Sequence, residues 1–143
     1  MTSRLPPRYS VLVGDDDDAV RGAVVEVLAD RPVQVITATN GSEALTILVS
    51  RPVDFTILDV EMPGMTGIEV LTRYLRGAFI APAQGQGARL RPRRTLPAIF
   101  MSGSRDQDIR SACEHLGMTF LPKPFAAMDM RRAVDDVLQH LSL

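Results

Sequence analysis

The sequence contains one cysteine and no long apolar run among its 143 residues. The single cysteine, Cys113, cannot form an internal disulfide, so the disulfide framework of a small secreted protein is excluded. The first residues lack the apolar stretch of a secretory signal. The longest apolar runs, such as Phe55–Leu58, are far shorter than the ~20 residues that span a bilayer. We therefore expect a cytoplasmic protein that does not contact a membrane.

Basic and acidic residues are nearly balanced in number but unevenly distributed along the chain. The chain has 16 basic and 17 acidic residues, a net charge of -1, so no overall field favours a nucleic acid as partner. Residues 1–69 contain eleven acidic and five basic residues, whereas residues 70–105 contain seven arginines and no acidic residue. Lysine is nearly absent: Lys123 is the only one in the chain. The length corresponds to one domain.

Short apolar runs rich in β-branched residues alternate with segments of helical period, which is typical of repeated βα units and a parallel sheet. We predict five strands alternating with five helices, the third helix at Ile68–Arg76. Helix starts are predicted at Asn40, Thr66 and Ser104, each three residues before Glu or Gln, the spacing of a capping box. The predicted strands are Tyr9–Val13, Val33–Thr37, Val53–Leu58, Ala98–Met101 and Thr119–Leu121.

The connection after the third helix is unusually long. Residues 77–96 are rich in Gly, Pro, Gln and Arg, whereas connections in α/β units usually take about 2–6 residues. We predict an inserted loop here. It is either simply solvated, or its arginines, Arg89, Arg91, Arg93 and Arg94, dock an acidic partner or extend the surface of helix 4. The predicted organisation is a tail at residues 1–8 and one domain at residues 9–143 that carries this insertion.

Polar residues follow four of the five predicted strands. The first strand runs into Asp15 and Asp16, and the third runs into Asp59. The fourth strand leads to Ser102, and the fifth leads to Lys123. Because ligands of open α/β sheets bind outside the carboxyl ends of the strands, we expect these side chains to form one site.

The three carboxylates at this edge predict a magnesium pocket, because hard cations bind through carboxylate oxygens, waters and substrate phosphates. A carboxylate is also a nucleophile that forms an aspartyl phosphate. Phosphoryl transfer is accelerated mainly by positioning and by neutralising the equatorial oxygens, which the cation, Lys123 and Ser102 would each contact. Taken singly, each residue fits an ordinary role, such as a helix cap or an exposed lysine. The ordered set at strand ends favours a site.

Four segments carry a resemblance to a known family: VLVGDD at residues 11–16, LDVEMPGMTG at 58–67, FMSG at 100–103 and FLPKPF at 120–125. They resemble the receiver domains of the response-regulator (CheY-like) superfamily, over nearly the whole chain apart from the first residues and the insertion. The resemblance implies an α/β, flavodoxin-like fold. Its doubly wound, five-stranded parallel sheet has the order 2-1-3-4-5 and five flanking helices.

The resemblance also implies the roles of the residues that handle the phosphoryl group. Asp59 matches the phosphoacceptor, Lys123 the phosphate-binding lysine and Ser102 the conserved hydroxyl. Ser102 and Phe120 match the two switch residues, which remodel the face formed by helix 4, strand 5 and helix 5. The Lys123-Pro124 peptide bond is expected to be cis.

A magnesium ion is implied at the acidic pocket. Asp16 and Asp59 match its direct ligands, the backbone carbonyl of Glu61 completes the site, and Asp15 acts through a water molecule. The side chain of Glu61 is expected to add a fourth carboxylate near the metal.

The resemblance implies a stand-alone response regulator of a two-component system. It would take a phosphoryl group from a sensor histidine kinase or a histidine phosphotransfer protein and signal to a protein target that the sequence does not identify. It would not be an enzyme beyond its own phosphorylation and autodephosphorylation, and it would be a monomer or weak homodimer. Three alternatives stay open: a constitutive docking module, a phosphate sink, and a phosphohydrolase with an aspartyl nucleophile.

Overall fold

The computed structural model describes residues 6–77, 95–116 and 118–143, which form one parallel sheet flanked by helices. The strands pair in the order β2-β1-β3-β4-β5, and every neighbouring pair is parallel, which confirms the predicted fold class and strand order. Along the chain the elements are β1 (Tyr9–Gly14), α1 (Asp18–Leu28), β2 (Val33–Ala38), α2 (Gly41–Ser50), β3 (Phe55–Asp59), α3 (Gly67–Arg76), β4 (Ala98–Ser102), α4 (Gln107–His115), β5 (Thr119–Pro122) and α5 (Ala127–Leu141).

Every strand ends one residue later than the apolar pattern predicts. The backbone pairing continues past the last apolar side chain, so that Asp59 aligns with Met101, and Ser102 aligns with Pro122. An apolar run reports which side chains are buried, whereas a strand is defined by its backbone ladder. As a consequence, two of the predicted site residues, Asp59 and Ser102, belong to the sheet itself.

The sheet separates two apolar layers. Successive residues of a strand point to opposite faces, so Val11 and Val13 pack with α1 and α5 while Leu12 packs with α2 and α3. The central strands are buried on both faces, as expected of a parallel sheet covered by helices. Each fully buried Val, Leu or Phe contributes roughly 1.5–3 kcal/mol relative to an exposed side chain. This core fixes the strand ends from which the polar residues project.

Two of the predicted helix starts are confirmed. Thr66 and Glu69 form a capping box at the start of α3, with the Glu69 N–H donating to Thr66 Oγ1 at 3.1 Å. Asn40 caps α2 by accepting from the Glu43 N–H at 2.8 Å. The Glu43 carboxylate accepts from the N–H of Thr39, so this second box is not closed on the cap residue itself.

The third predicted start is wrong. Helix α4 begins at Gln107, and its N-cap is Asp106, whose carboxylate accepts from the Asp108 N–H at 2.8 Å. Ser104 Oγ accepts instead from the Asp106 N–H at 3.0 Å. Asp and Ser are comparable caps, so spacing alone could not decide between them.

Helix α3 ends at Arg76 and β4 begins at Ala98. Gly77 ends α3 in the left-handed conformation with φ of 67°, which glycine adopts without steric cost. Most of the predicted insertion, residues 78–94, lies outside the described residues, and so do its arginines. Within the part of the chain that the structure describes, no helix is both long and apolar enough to span a bilayer.

Candidate functional site

Backbone hydrogen bonds carry the chain past the strand ends and align the polar residues along one edge. The Asp15 N–H donates to the Ala38 carbonyl at 3.1 Å, and the Lys123 N–H donates to the Ser102 carbonyl at 2.7 Å. Residues at the ends of neighbouring strands are therefore aligned with one another along the strand direction. The site is built on the ends of strands, which position side chains more precisely than loops do.

Three carboxylates meet at this edge as the sequence predicts. One oxygen from each of Asp15, Asp16 and Asp59 lies within 4.8 Å of the others. Asp15 and Asp59 are buried, whereas Asp16 is exposed to solvent. Oxygen ligands at this density suit a hard divalent cation, and the exposed member leaves the cluster open to waters and phosphate oxygens. The residues present thus fit Mg²⁺.

Lys123 neutralises part of this negative charge. Its Nζ lies 3.0 Å from Asp15 Oδ2 and 3.2 Å from Asp59 Oδ2. Burial opposes the charge of the ammonium, but the hydrogen bond to Asp15 and the charges of both carboxylates outweigh that effect and raise the pKa of Lys123. One cation faces three carboxylates, so the cluster retains a net negative charge.

The surroundings of Asp59 shift the pKa of its carboxyl group upward. Burial and the neighbouring Asp15 carboxylate raise its pKa to about 6, against the opposing effects of Lys123 and of the Glu61 N–H. That N–H donates to Asp59 Oδ1 at 3.2 Å. A buried carboxylate with an elevated pKa is poorly solvated, which is typical of a functional group held ready for a cation or a reaction.

An arginine that sequence reasoning did not single out supports the acidic loop. Arg21, one turn into α1, donates from Nη1 to the Asp15 carbonyl oxygen at 2.8 Å and also pairs with Asp18. The Asp17 N–H donates to Asp15 Oδ1 at 2.9 Å. Arg21 thus holds the backbone from which Asp15 and Asp16 project. Nothing in its sequence spacing distinguishes it from other helical arginines.

The side chain of Glu61 is not placed as expected. It is not a member of the carboxylate cluster found among the described residues. Instead, Glu61 Oε2 accepts from the Ser102 hydroxyl at 2.7 Å, and Oε1 accepts from the Gly103 N–H at 3.3 Å. Through these two hydrogen bonds the carboxylate bridges the loop after β3 to the end of β4. Ser102 itself is fully buried.

The second predicted switch residue, Phe120, lies on β5 with its side chain half-buried. The Arg110 guanidinium of α4 stands 5.6 Å from the centre of its ring, within the range of a cation–π contact. The Lys123-Pro124 peptide bond is cis, as expected. His115 and His140 are both exposed.

The chain resembles known proteins over almost its whole length. The family model of the response regulator receiver domain matches residues 11–79. The DNA-binding transcriptional regulator NtrC of Escherichia coli (strain K12) is 30% identical over 134 residues, 93% of this chain but 25% of that protein. This chain thus spans about a quarter of the length of that relative.

In two further comparisons the similarity covers almost the whole of both chains. Sporulation initiation phosphotransferase F of Bacillus subtilis (strain 168) is 30% identical over 129 residues, 90% of this chain and 92% of that protein. The solved CheX–CheY–BeF3–Mg²⁺ complex of Borrelia burgdorferi has a similar fold, with a TM-score of 0.74 and 21% identity over 92% of this chain and 90% of that chain. The sheet order, the acidic edge and these relatives agree, and the chain belongs to the family of response regulator receiver domains of two-component systems.

Proposed function

We propose that Asp59 accepts a phosphoryl group from a phosphohistidine donor in a Mg²⁺-dependent reaction. The observation that carries this proposal is that buried Asp59 lies 3.2 Å from the Lys123 ammonium and belongs to one carboxylate cluster with Asp15 and Asp16. A buried nucleophile beside one fixed cation and one cluster of metal-binding oxygens is what phosphoryl transfer to a carboxylate requires.

The reaction exchanges one bond to phosphorus for another. The N–P bond of the donor breaks, its electron pair stays on the imidazole nitrogen, which takes up a proton, and an Asp59 oxygen forms the new O–P bond. Lys123 would then exchange its contact with Asp59 for one with a phosphoryl oxygen while keeping Asp15. Ser102 would donate its hydroxyl to another oxygen. Hydrolysis of the acyl phosphate by water returns the free carboxylate and inorganic phosphate.

Mg²⁺ would be held by the side chains of Asp16 and Asp59, by the backbone carbonyl of Glu61 and, through a water molecule, by Asp15. When bound, it supplies positive charge that offsets the negative charge of the phosphoryl oxygens. The protein supplies the rest: Arg21 holds the acidic loop, and the sheet holds Asp59.

We propose that the output is a change of shape rather than turnover of an external substrate. Phosphorylation would move Ser102 toward Asp59 and turn Phe120 inward, which remodels the face of α4, β5 and α5. The proposed donor is a sensor histidine kinase or a histidine phosphotransfer protein. An acid for a phosphohydrolase would have to be Glu61, but both of its carboxylate oxygens accept hydrogen bonds from β4 and the residue after it.

Mass spectrometry of the intact protein tests the proposal. Incubation with acetyl phosphate and Mg²⁺ should add about 80 Da, one phosphoryl group, and chelation of the metal should prevent the gain. Asp59→Asn should abolish it. Asp136→Asn, at an exposed position on α5, is the matched control and should label normally. Full labelling of Asp59→Asn would place the acceptor elsewhere and contradict the proposal.

A further inference from the structure

The geometry points to Glu61 as a latch on Ser102, a positioning role that rests on the proposed function. We propose that the Glu61 carboxylate holds the Ser102 hydroxyl and the Gly103 amide in the resting protein and has to release them before Ser102 can contact a phosphoryl group on Asp59. Glu61 would thereby set how far the resting state resists activation.

The hydrogen bonds of Ser102 support this role. A serine hydroxyl has one proton to donate. In the structure this proton goes to Glu61 Oε2 at 2.7 Å, while the Ser104 N–H donates to the same hydroxyl oxygen at 3.0 Å. Ser102 is fully buried, whereas Glu61 is exposed, and in the resting structure the acceptor of the Ser102 hydroxyl is Glu61. The hydroxyl can donate to a phosphoryl oxygen only after its bond to Glu61 breaks.

The second contact of the Glu61 carboxylate is with the backbone of Gly103, the residue after β4. The Gly103 N–H donates to Glu61 Oε1 at 3.3 Å, so both oxygens of the carboxylate are engaged. Glu61 lies just two residues after Asp59, whose Oδ1 accepts from the Glu61 N–H. One short segment therefore joins the phosphoacceptor to the end of β4. A phosphoryl group on Asp59 would compete with Glu61 for the same donors.

Two substitutions separate the hydrogen bonds of Glu61 from its charge. Glu61→Asp keeps the charge but is one methylene shorter, so it should not bridge both donors. Glu61→Gln keeps the length without the charge and retains a carbonyl oxygen that accepts from Ser102. Glu26→Asp, at an exposed position of α1, is the matched control. Thermal melts of each variant establish that it is folded.

The first readout uses the free protein and does not depend on phosphorylation. Amide exchange measured by NMR should show the Gly103 N–H exchanging about five-fold faster in Glu61→Asp than in the wild type, because a hydrogen bond to a charged acceptor is lost. The Glu26→Asp protein should match the wild type. An unchanged Gly103 amide in Glu61→Asp would overturn the latch.

The second readout is the affinity for beryllofluoride, a stand-in for the phosphoryl group, in saturating Mg²⁺ and followed by ¹⁹F NMR. A latch reduces the fraction of protein that is competent to bind, so Glu61→Asp should bind about 5- to 10-fold more tightly. Glu61→Gln should show a smaller gain. In a Ser102→Ala background most of the gain should disappear.

The reverse order of the two variants, with Glu61→Asp like the wild type and Glu61→Gln tightest, would show that Glu61 acts through charge and would overturn the latch. Equal gains with and without Ser102 would overturn it as well. A wild-type protein that binds no beryllofluoride would instead overturn the proposed function and the release step with it. The Gly103 exchange would then still report whether the resting contact exists.

Discussion

The arrangement of charged side chains in the site lowers the stability of the folded protein. Asp59 is 3% exposed and Asp15 is fully buried, yet a single ammonium, that of Lys123, stands between them. Taking a carboxylate out of water is unfavourable unless it is well paired. The residues that the proposed reaction uses therefore lower the free energy of unfolding, as is common at functional sites.

Asp59→Asn is expected to stabilise the metal-free protein at pH 7.5. The pKa of Asp59 is about 6 in the folded protein and near 3.8 in the unfolded chain. The folded state thus binds more protons between these values, and stability falls as pH rises from about 4 through 6. The expected gain for Asp59→Asn at pH 7.5 is on the order of 1–3 kcal/mol.

Urea unfolding in the presence of a chelator measures this gain, with Asp136→Asn as the control. The gain should shrink as the pH is lowered toward 4, where the wild-type Asp59 is protonated in the folded state. A gain that grew on acidification, or a loss of stability at pH 7.5, would contradict the assigned environment of Asp59.

Lys123→Met is expected to destabilise the metal-free protein at pH 7.5. The substitution keeps an aliphatic chain of similar length but leaves two buried carboxylates without their cation. The expected loss in urea unfolding is on the order of 2 kcal/mol. Lys123→Arg retains the charge and should recover part of the loss, whereas equal stability of Lys123→Met and the wild type would show that the ion pairs contribute nothing.

Sequence reasoning identified the residues with unusual chemistry but not their hydrogen-bond partners. Parallel strands bring their carboxyl ends together, so the clustering of residues at or just after strand ends was predictable, as for Asp15, Asp16, Asp59 and Lys123. The bond from Ser102 to Glu61 depends on how the loop after β3 turns. That path is set by tertiary packing and leaves no periodic signal in the sequence.

The strand and helix ends position the site through close backbone approach. Gly67, the first residue of α3, donates its N–H to the Val60 carbonyl at 3.1 Å. A Cβ at Gly67 would lie 2.4 Å from the Asp59 carbonyl oxygen, closer than atoms can approach. Only glycine lets α3 start this near the end of β3.

Gly67→Ala should therefore lower stability by roughly 1–3 kcal/mol, because backbone atoms have to shift. It should also weaken Mg²⁺ binding, measured by calorimetry, since the displaced atoms belong to Asp59. Gly22→Ala is the matched control: its Cβ would meet nothing within 4 Å, in the middle of α1. We expect Gly22→Ala to raise stability by about 0.5–1 kcal/mol. A neutral Gly67→Ala would contradict this account of the α3 start.

At the scale of elements, type and order were predictable and ends were not. The alternation of apolar runs with helical periods indicated, in the correct order, the ten elements found among the described residues. The ends depend on backbone pairing and on competition between caps, as Ser102 and Asp106 show. The capping preferences of Ser and Asp are similar, so tertiary packing decides where a helix begins.

At the scale of the whole molecule, three acidic residues of the N-terminal half meet at one edge of the sheet. Protons and Mg²⁺ are expected to compete for Asp59, since a metal ligand has to be deprotonated. Mg²⁺ should raise the melting temperature, and the increase should be larger at pH 7.5 than at pH 5, where Asp59 is mostly protonated.

Asp16→Asn should greatly reduce this effect of Mg²⁺, because it removes the exposed member of the cluster. Asp136→Asn, at an exposed position on α5 outside the cluster, should respond to Mg²⁺ like the wild type. A Mg²⁺ effect that is independent of pH and of Asp16 would place the ion elsewhere on the protein.

The central claim is that Asp59 carries the phosphoryl group, and borohydride reduction followed by peptide sequencing tests it most directly. Borohydride converts an aspartyl phosphate into homoserine and leaves free carboxylates unchanged. After incubation with acetyl phosphate and Mg²⁺, we predict homoserine at position 59 and at no other aspartate. Homoserine at another position, or none in a protein that gains a phosphoryl group, would contradict the account.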